Sequence, residues 1–460
     1  MSRLSGFPEL LPAERIVEQR VLDHLRRVFE LHGFANLETR AVEPMEELLR
    51  KGEIDKEVYT LRRLHENAGA GGAGASGAGA EEAADALALH FDLTVPFARY
   101  VVENSHDLDF PFRRYQIQKV WRGERPQQGR FREFTQADID IVARDVLPFH
   151  FDVEVARVMA EALSGLPVPR LRLQVNNRKV LEGFYAGLGI DEPTRIMPIV
   201  DKLDKLPPDA VRTLLLDAGL DERQADACLA LSAISAADAS FVAQVEALGV
   251  EHELLAEGLQ ELARVIEGCA GIDGADVVVD LSIARGLDYY TGTVFETRMA
   301  GYEHLGSVCS GGRYDELARD NRNTYPGVGI SLGVSRLVVP LLADGITASR
   351  SVPSAVLVTV LHEAARPESD DLATLLRSRG VPTEVAPSAQ KLGKQIRHAE
   401  RRGIPFVLFP GDPVQVKDLR TGDQVDVDPA TWLPPEADLA PGIITPATTA
   451  NTDSPEEIAP

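Results

Sequence analysis

Cysteine is scarce in this 460-residue chain. The three present, Cys228, Cys269 and Cys309, lie far apart and form no CxxC pair. That excludes a disulfide scaffold and a cysteine-rich zinc site, and it fits a reducing compartment. The histidines form no HxH or HExxH pair, so no metalloprotease-type site is expected. No apolar run approaches the roughly 18 residues of a membrane span. The opening MSRLSGFPELLPAER has no apolar core of the signal-peptide kind. A cytoplasmic protein without a membrane partner is therefore expected. Positive charge is short as well: 48 Lys and Arg stand against 71 Asp and Glu, a net −23. That argues against indiscriminate nucleic-acid binding but leaves room for a local basic track. No GxxxxGK(S/T) occurs, and no Gly-rich turn of Rossmann type opens a helix. A nucleotide, if bound, is held by another scheme.

Against that background one stretch stands out. WRGERPQQGRFREFTQAD, residues 121–138, places Arg122, Arg125, Arg130 and Arg132 within eleven positions. Guanidinium groups are suited to phosphate because their planar fork donates paired hydrogen bonds and stays charged. The spacing predicts a hairpin, with Arg122 and Glu124 alternating on one strand and a turn at Gly129.

Around it the chain reads as several modules. Residues 12–32 have apolar residues at helical spacing (Ile16, Val17, Val21, Leu22, Leu25, Val28, Phe29), which predicts an amphipathic helix. Residues 68–80 contain only Ala, Gly and Ser and predict a flexible surface loop. The part from about 187 to 270 is alanine-rich and helical in period. Beyond 350, strand and helix patterns alternate, predicting a compact α/β domain with a mostly parallel sheet. Residues 436–460 hold five acidic residues and no Lys or Arg, which predicts disorder.

Three further segments carry unusual chemistry. LHFDLTVP, residues 89–96, reads as a strand with Asp92 and Thr94 on one face, able to receive an ammonium group. ARGLDYYTGTVFE, residues 284–296, sets Arg285 in an apolar run, which is costly without an anion beside it, and adds Tyr289 and Tyr290. GVGISLGVSRL, residues 327–337, lets backbone approach a ligand closely at Gly327, Gly329 and Gly333 and brings Arg336 to a helix start. Each has a plainer reading as well: a solvated hairpin, a satisfied buried aspartate, tyrosines packed in a core, a tight turn.

Taken in order, these segments resemble the class II aminoacyl-tRNA synthetases, and among them the histidyl-tRNA synthetases. RAVEP, with Pro44, is similar to motif 1 of that class, the dimer-forming element; WRGE…GRFREF to motif 2; and GVGISLGVSR to motif 3. RGLDYYTGTVFE and CSGGRYD are similar to two signatures of the histidine branch. The resemblance covers about residues 6–432. It implies an α+β class II catalytic domain, an antiparallel sheet flanked by helices, split between residues 1–186 and 271–345. It further implies a helical insertion at 187–270 and an α/β anticodon-binding domain at 352–435, followed by the 436–460 tail.

The implied activity is activation of L-histidine by ATP, with Mg2+, and transfer to the 3′ end of tRNA(His), by a homodimer. The implied roles are specific. Arg122 meets the α-phosphate and the histidine carboxylate. Arg130 and Arg336 meet the outer phosphates. Glu124 sits by the adenine, with Phe134 stacked on it. Asp92, Thr94 and Gln136 hold the α-amino group. Asp140 and Tyr290 bracket the imidazole, beside Tyr289. Arg285 stabilises charge on the α-phosphate. Gln127 reads the tRNA 5′ end. Lys394 and Arg397, in the basic stretch 391–403, meet the anticodon. Asp92 and Asp140 stand where many relatives carry glutamate, so the backbone must come closer. A non-catalytic histidine-sensing or regulatory paralogue is the alternative, and it typically loses the motif 2 or motif 3 arginines or the C-terminal domain.

Overall fold

The computed structural model describes residues 4–49, 58–62, 86–272, 275–284 and 289–446. Arg285 and the Gly/Ala stretch 68–80 lie outside the described residues. The chain divides into two compact units. One is built from the residues up to Pro8 and Val21–Pro340, the other from Glu9–Arg20 and the chain from Leu341 onward.

The first unit is organised by a nine-stranded sheet. Seven of its strands concern the site: β1 (Phe112–Trp121), β2 (Glu133–Val142), β3 (Leu171–Asn177), β4 (Ala275–Asp280), β5 (Thr293–Met299), β6 (Cys309–Tyr314) and β7 (Gly327–Gly333). Their order across the sheet is β1-β2-β7-β6-β5-β3-β4, with two-residue edge strands at Ala35–Asn36 and Ser235–Ala236. Neighbours from β1 through β3 are antiparallel; β4 joins β3 in parallel, and the edge strand Ala35–Asn36 joins β1 in parallel.

The helix His150–Ser164 packs on this sheet. Its buried Asp152 accepts from Thr293 Oγ1 at 2.7 Å and from Arg313 Nη2 at 2.6 Å. Burial raises that carboxyl, and the Arg313 guanidinium pulls it back down. The contact ties β5 and β6 to the helix. Removing one partner of such a buried pair leaves an uncompensated charge, which is why the pair persists. Because strand side chains alternate, Arg313 on the helix side puts Gly312 on the opposite face.

The segment 187–270 is helical, with helices at Pro193–Val200, Pro208–Asp217, Glu222–Ser232, Phe241–Glu246 and Glu253–Gly268. It is not a compact unit of its own. It falls within the first unit, and its Ser235–Ala236 pairs with β4 as the sheet's edge.

The second unit holds a five-stranded sheet ordered Thr383–Val385, Val356–Val358, Phe406–Phe409, Gln415–Asp418, Gln424–Asp426. The first three are parallel and the last two antiparallel, so the expected mostly parallel sheet is in fact mixed. Alternation along the central strands explains the layers. Val356, Val358, Phe406 and Leu408 pack with Ala373 and Leu376 of one helix, while Leu357 and Val407 pack with Ala399 of another. The tail also departs from expectation. Residues 436–446 are not disordered: Ile443–Ile444 pairs antiparallel with Thr347–Ala348. Two β-branched residues on a short exposed strand outweigh the polar composition around them. Residues 447–460 lie outside the described part.

Candidate active site

The register of the large sheet sets the site. Asp140 lies opposite Arg114 on β1 and Gly329 on β7. Asp138 lies opposite Gln116 and Ser331, and Gln136 opposite Gln118 and Gly333. Ser310 and Gly312 on β6 continue the same rows. With a period of two, all of these share one face and form a polar row across it. Every strand here is long enough to keep the register fixed.

Two cavities open on that face. The outer one, about 160 Å³, is lined by Arg122, Glu124, Arg130, Phe134 and Arg336, among others. The inner one, about 80 Å³, is lined by Asp92, Thr94, Asp138, Asp140, Tyr289 and Tyr290, among others. Arg122, Gln136, Ser310 and Ser331 line both.

Three guanidinium groups converge on the outer cavity. Arg122 Nε donates to Phe91 O at 3.0 Å, and its guanidinium sits over the Phe134 ring at 5.2 Å. Arg130 pairs with Glu124 at 3.5 Å. Arg336 donates through Nη2 to Leu305 O, while its buried Nε has no hydrogen-bond partner among the described residues. Burial, with Arg130 and Arg122 close by, pulls the Arg336 guanidinium down to about 10. Such a cluster is costly alone, and an anion with several charges relieves it.

The inner cavity is acidic and aromatic. Asp140 accepts from Tyr314 OH at 2.8 Å and pairs with Arg114 at 2.7 Å. The Arg114 side chain is fully buried and stacks over Phe97 at 4.3 Å. Two glycines make room. A Cβ at Gly329 would fall 2.0 Å from Asp140 Oδ1, and one at Gly312 would fall 2.7 Å from the Tyr290 ring. The bare backbone of Gly329 thus lies directly against the Asp140 carboxylate. Tyr289 and Tyr290 have ring centroids 4.1 Å apart. Arg178 holds their loop by donating to Tyr290 O at 3.0 Å.

Some local expectations do not hold. Asp92 and Thr94 are not on a strand. The strand ends at Leu89, and Thr94 opens the helix Thr94–Glu103. Asp92 accepts from Val95 N at 3.2 Å, as a residue just before a helix does. Arg122 and Glu124 are not on a strand either, since β1 ends at Trp121. Arg122 N still bonds Arg132 O at 2.9 Å, so the hairpin continues as a loop closed by Gln127 and Arg130. Gly129, with φ of 71°, makes the turn there. Arg132 Nε bonds Glu124 O at 3.2 Å, a contact internal to the hairpin. Arg125 and Gln127 are exposed.

In the second unit the basic stretch forms the helix Leu392–Arg402. Gln395 and Ala399 are its buried positions, while Lys394, Arg397 and Arg401 are exposed. Arg402 pairs with Glu384 at 2.5 Å and is partly withdrawn from that face.

The site also contains residues the sequence reading passed over: Arg114, Asp138, Tyr314 and Ser331. The signal for Asp138 was present, since Gln136, Asp138 and Asp140 share one strand period in FTQADIDIV.

The comparisons agree with this geometry. A family model described as "Histidyl-tRNA synthetase" matches residues 79–337, and one described as "Anticodon binding domain" matches 355–432. The chain belongs to the histidyl-tRNA synthetase family. A histidine–tRNA ligase of Cutibacterium acnes is 56% identical, over 96% of this chain and 98% of that protein. One of Micrococcus luteus is also 56% identical, with the same coverage. Among solved structures, a histidyl-tRNA synthetase from Nostoc sp. PCC 7120 superposes with a TM-score of 0.81 at 35% identity, covering 93% of this chain and 96% of that one. The synthetase fold is therefore a class II catalytic part followed by an anticodon-binding domain. The two features a regulatory paralogue typically lacks, the motif arginines and the C-terminal domain, are both here.

Proposed function

We infer that the protein is a histidine–tRNA ligase, and that the joined cavities are where histidine is activated. The observation that carries this is the convergence of Arg122, Arg130 and Arg336 beside an acidic and aromatic pocket, with Arg122 lining both. The polyphosphate of ATP neutralises the arginines. Histidine occupies the inner cavity, its α-ammonium toward Asp92, Thr94 and Gln136 and its imidazole between Asp140 and Tyr290. A ring with a donor and an acceptor nitrogen suits a carboxylate facing a phenol. Glu124 and Phe134 receive the adenine.

In the reaction a histidine carboxylate oxygen attacks the α-phosphorus. The new O–P bond forms as the bond to the bridging oxygen of pyrophosphate breaks. Arg122 stabilises charge where carboxylate and α-phosphate meet, and Arg130 and Arg336 receive the departing pyrophosphate. A 3′-terminal hydroxyl of tRNA(His) then attacks the adenylate carbonyl, and AMP leaves. The family resemblance assigns Arg285 to the α-phosphate; exchange within a fewfold of wild type in Arg285→Ala would remove that role.

Among the described residues no three His, Cys, Asp or Glu are grouped to hold a metal, and Glu124 already pairs with Arg130. That donor set fits a Mg2+ ion that keeps water and phosphate oxygens as ligands. Bound with ATP, it would supply further charge neutralisation at the outer phosphates.

The exposed Gln127 is assigned to the tRNA 5′ end, and the Lys394 and Arg397 face to the anticodon. Charging of tRNA(His) with and without its extra 5′ guanosine tests Gln127. In Gln127→Ala the loss is expected, about tenfold, only with the extra guanosine present; equal loss for both would end the role. We also propose a cytoplasmic homodimer, as the family resemblance implies; among the described residues no helix is long and apolar enough to cross a membrane. Sedimentation at the 50.1 kDa of one chain would contradict the dimer.

A further inference from the structure

Asp138 and Ser331 have no role in the reading above, yet both line the inner cavity. Asp138 is 1% exposed. A carboxyl so deeply buried needs a partner; Arg114 pairs with Asp140 and acts on Asp138 through its charge. The hydrogen-bond partner of Asp138 is Ser331, which faces it across β2 and β7. Ser331 Oγ donates to Asp138 Oδ1, and Gln136 Nε2 donates to Ser331 Oγ. Gln136 Oε1 is buried with no hydrogen-bond partner among the described residues, and Gln136 borders both cavities.

While Asp138 is ionised, chemistry fixes the direction of this chain of bonds. An ionised carboxylate only accepts, so Ser331 must give its single proton to Asp138. The serine oxygen can then only accept from Gln136, and it takes the amide N–H. The amide oxygen is left for the cavity. We propose that Asp138 and Ser331 are positioning residues that hold the Gln136 carboxamide with its oxygen toward the substrate α-ammonium, and thereby set the affinity for the amino acid. This rests on the histidine-binding reading: Gln136 touches the substrate, and the other two act through it.

A pH dependence follows. The groups facing Asp138 are Arg114, Asp140 and Asp92, with Tyr289 and Cys309 also in electrostatic reach. Burial is the largest influence and raises the Asp138 carboxyl to about 7; Arg114 opposes the rise and Asp140 adds to it. Above that pH the carboxylate accepts and the chain of bonds is locked. As pH falls through about 7 the carboxyl gains a proton and can donate to Ser331. The bonds can then reverse and turn the amide NH2 toward the ammonium. The KM for histidine therefore rises on the acid side.

The test is histidine-dependent ATP–pyrophosphate exchange with the full-length enzyme, measured for wild type, Ser331→Ala and Asp138→Asn. In Ser331→Ala the KM for histidine should rise about tenfold, the size of one hydrogen bond to a charged group. Its kcat and its KM for ATP should stay within about twofold, the mark of lost uniform binding. Asp138→Asn is nearly isosteric and cannot titrate. The ratio of its histidine KM to that of wild type should change between about pH 6 and pH 8, while titration of the substrate imidazole cancels in that ratio. A flat ratio, or a Ser331→Ala effect shared equally by both substrates or confined to kcat, overturns the relay. Wild-type enzyme with no exchange on histidine would instead overturn the function it rests on.

Discussion

Replacing Arg122 by alanine is expected to lower histidine-dependent ATP–pyrophosphate exchange by about 10³-fold, mostly in kcat. The size follows from the cost of removing one preorganised donor where charge develops, about 10²–10³, enlarged because a guanidinium supplies two donors and a full charge. The position follows from the structure. Arg122 lines both cavities, and its Nε bond to Phe91 O and its stacking over Phe134 hold it there. Both contacts come from this chain's own atoms, so they would hold the group where the proposed reaction needs it. Arg122→Lys keeps the charge but loses the fork, and should recover only a small part of the rate. Thermal unfolding should be nearly unchanged in both variants, since the side chain is only part-buried. Exchange within about tenfold of wild type in Arg122→Ala would show that carboxylate and α-phosphate meet elsewhere.

The second large effect is on stability. Arg114→Ala should destabilise the catalytic unit by roughly 3–5 kcal/mol, the cost of stranding a buried charge. The stranded group is Asp140, whose side chain is 4% exposed and lies 2.7 Å from the Arg114 guanidinium. For a domain of this size that corresponds to a fall of roughly 10 °C in Tm. Histidine binding should weaken as well, because the proposed ring site at Asp140 loses the cation that holds its carboxylate in place. Combining Arg114→Leu with Asp140→Asn should recover much of the stability and none of the histidine affinity, separating the two roles of the pair. A Tm within about 2 °C of wild type in Arg114→Ala would mean the pair does not hold the site together.

Much of this architecture is legible in the sequence because periodicity speaks for packing. The amphipathic helix read at residues 12–32 is Pro12–Leu31 in the structure. The arginine-rich stretch is a hairpin between two ten-residue strands. The basic stretch 391–403 is a helix whose buried side repeats at Gln395 and Ala399 and whose cations face outward. What the sequence did not show depends on pairing across the sheet. Ser331 gains its meaning only from lying opposite Asp138, and Arg114 from lying opposite Asp140. Those partners are separated by 193 residues in the first case, and no local pattern connects them. Asp92 and Thr94 read as a strand in the sequence because alternating polar and apolar residues over a few positions fit a helix start as well. Residues 436–446 read as disordered in the sequence because composition cannot show that Ile443–Ile444 finds an edge at Thr347–Ala348.

The central claim is that the joined cavities activate histidine and no other amino acid. It is tested most directly by ATP–pyrophosphate exchange with the wild-type enzyme, run separately with each of the standard amino acids. Exchange is expected with histidine alone, because the proposed pocket offers Asp140 and Tyr290 to the two nitrogens of one rigid ring, a geometry the carboxamides of asparagine and glutamine do not match. No exchange with histidine, or comparable exchange with another amino acid, would contradict the account.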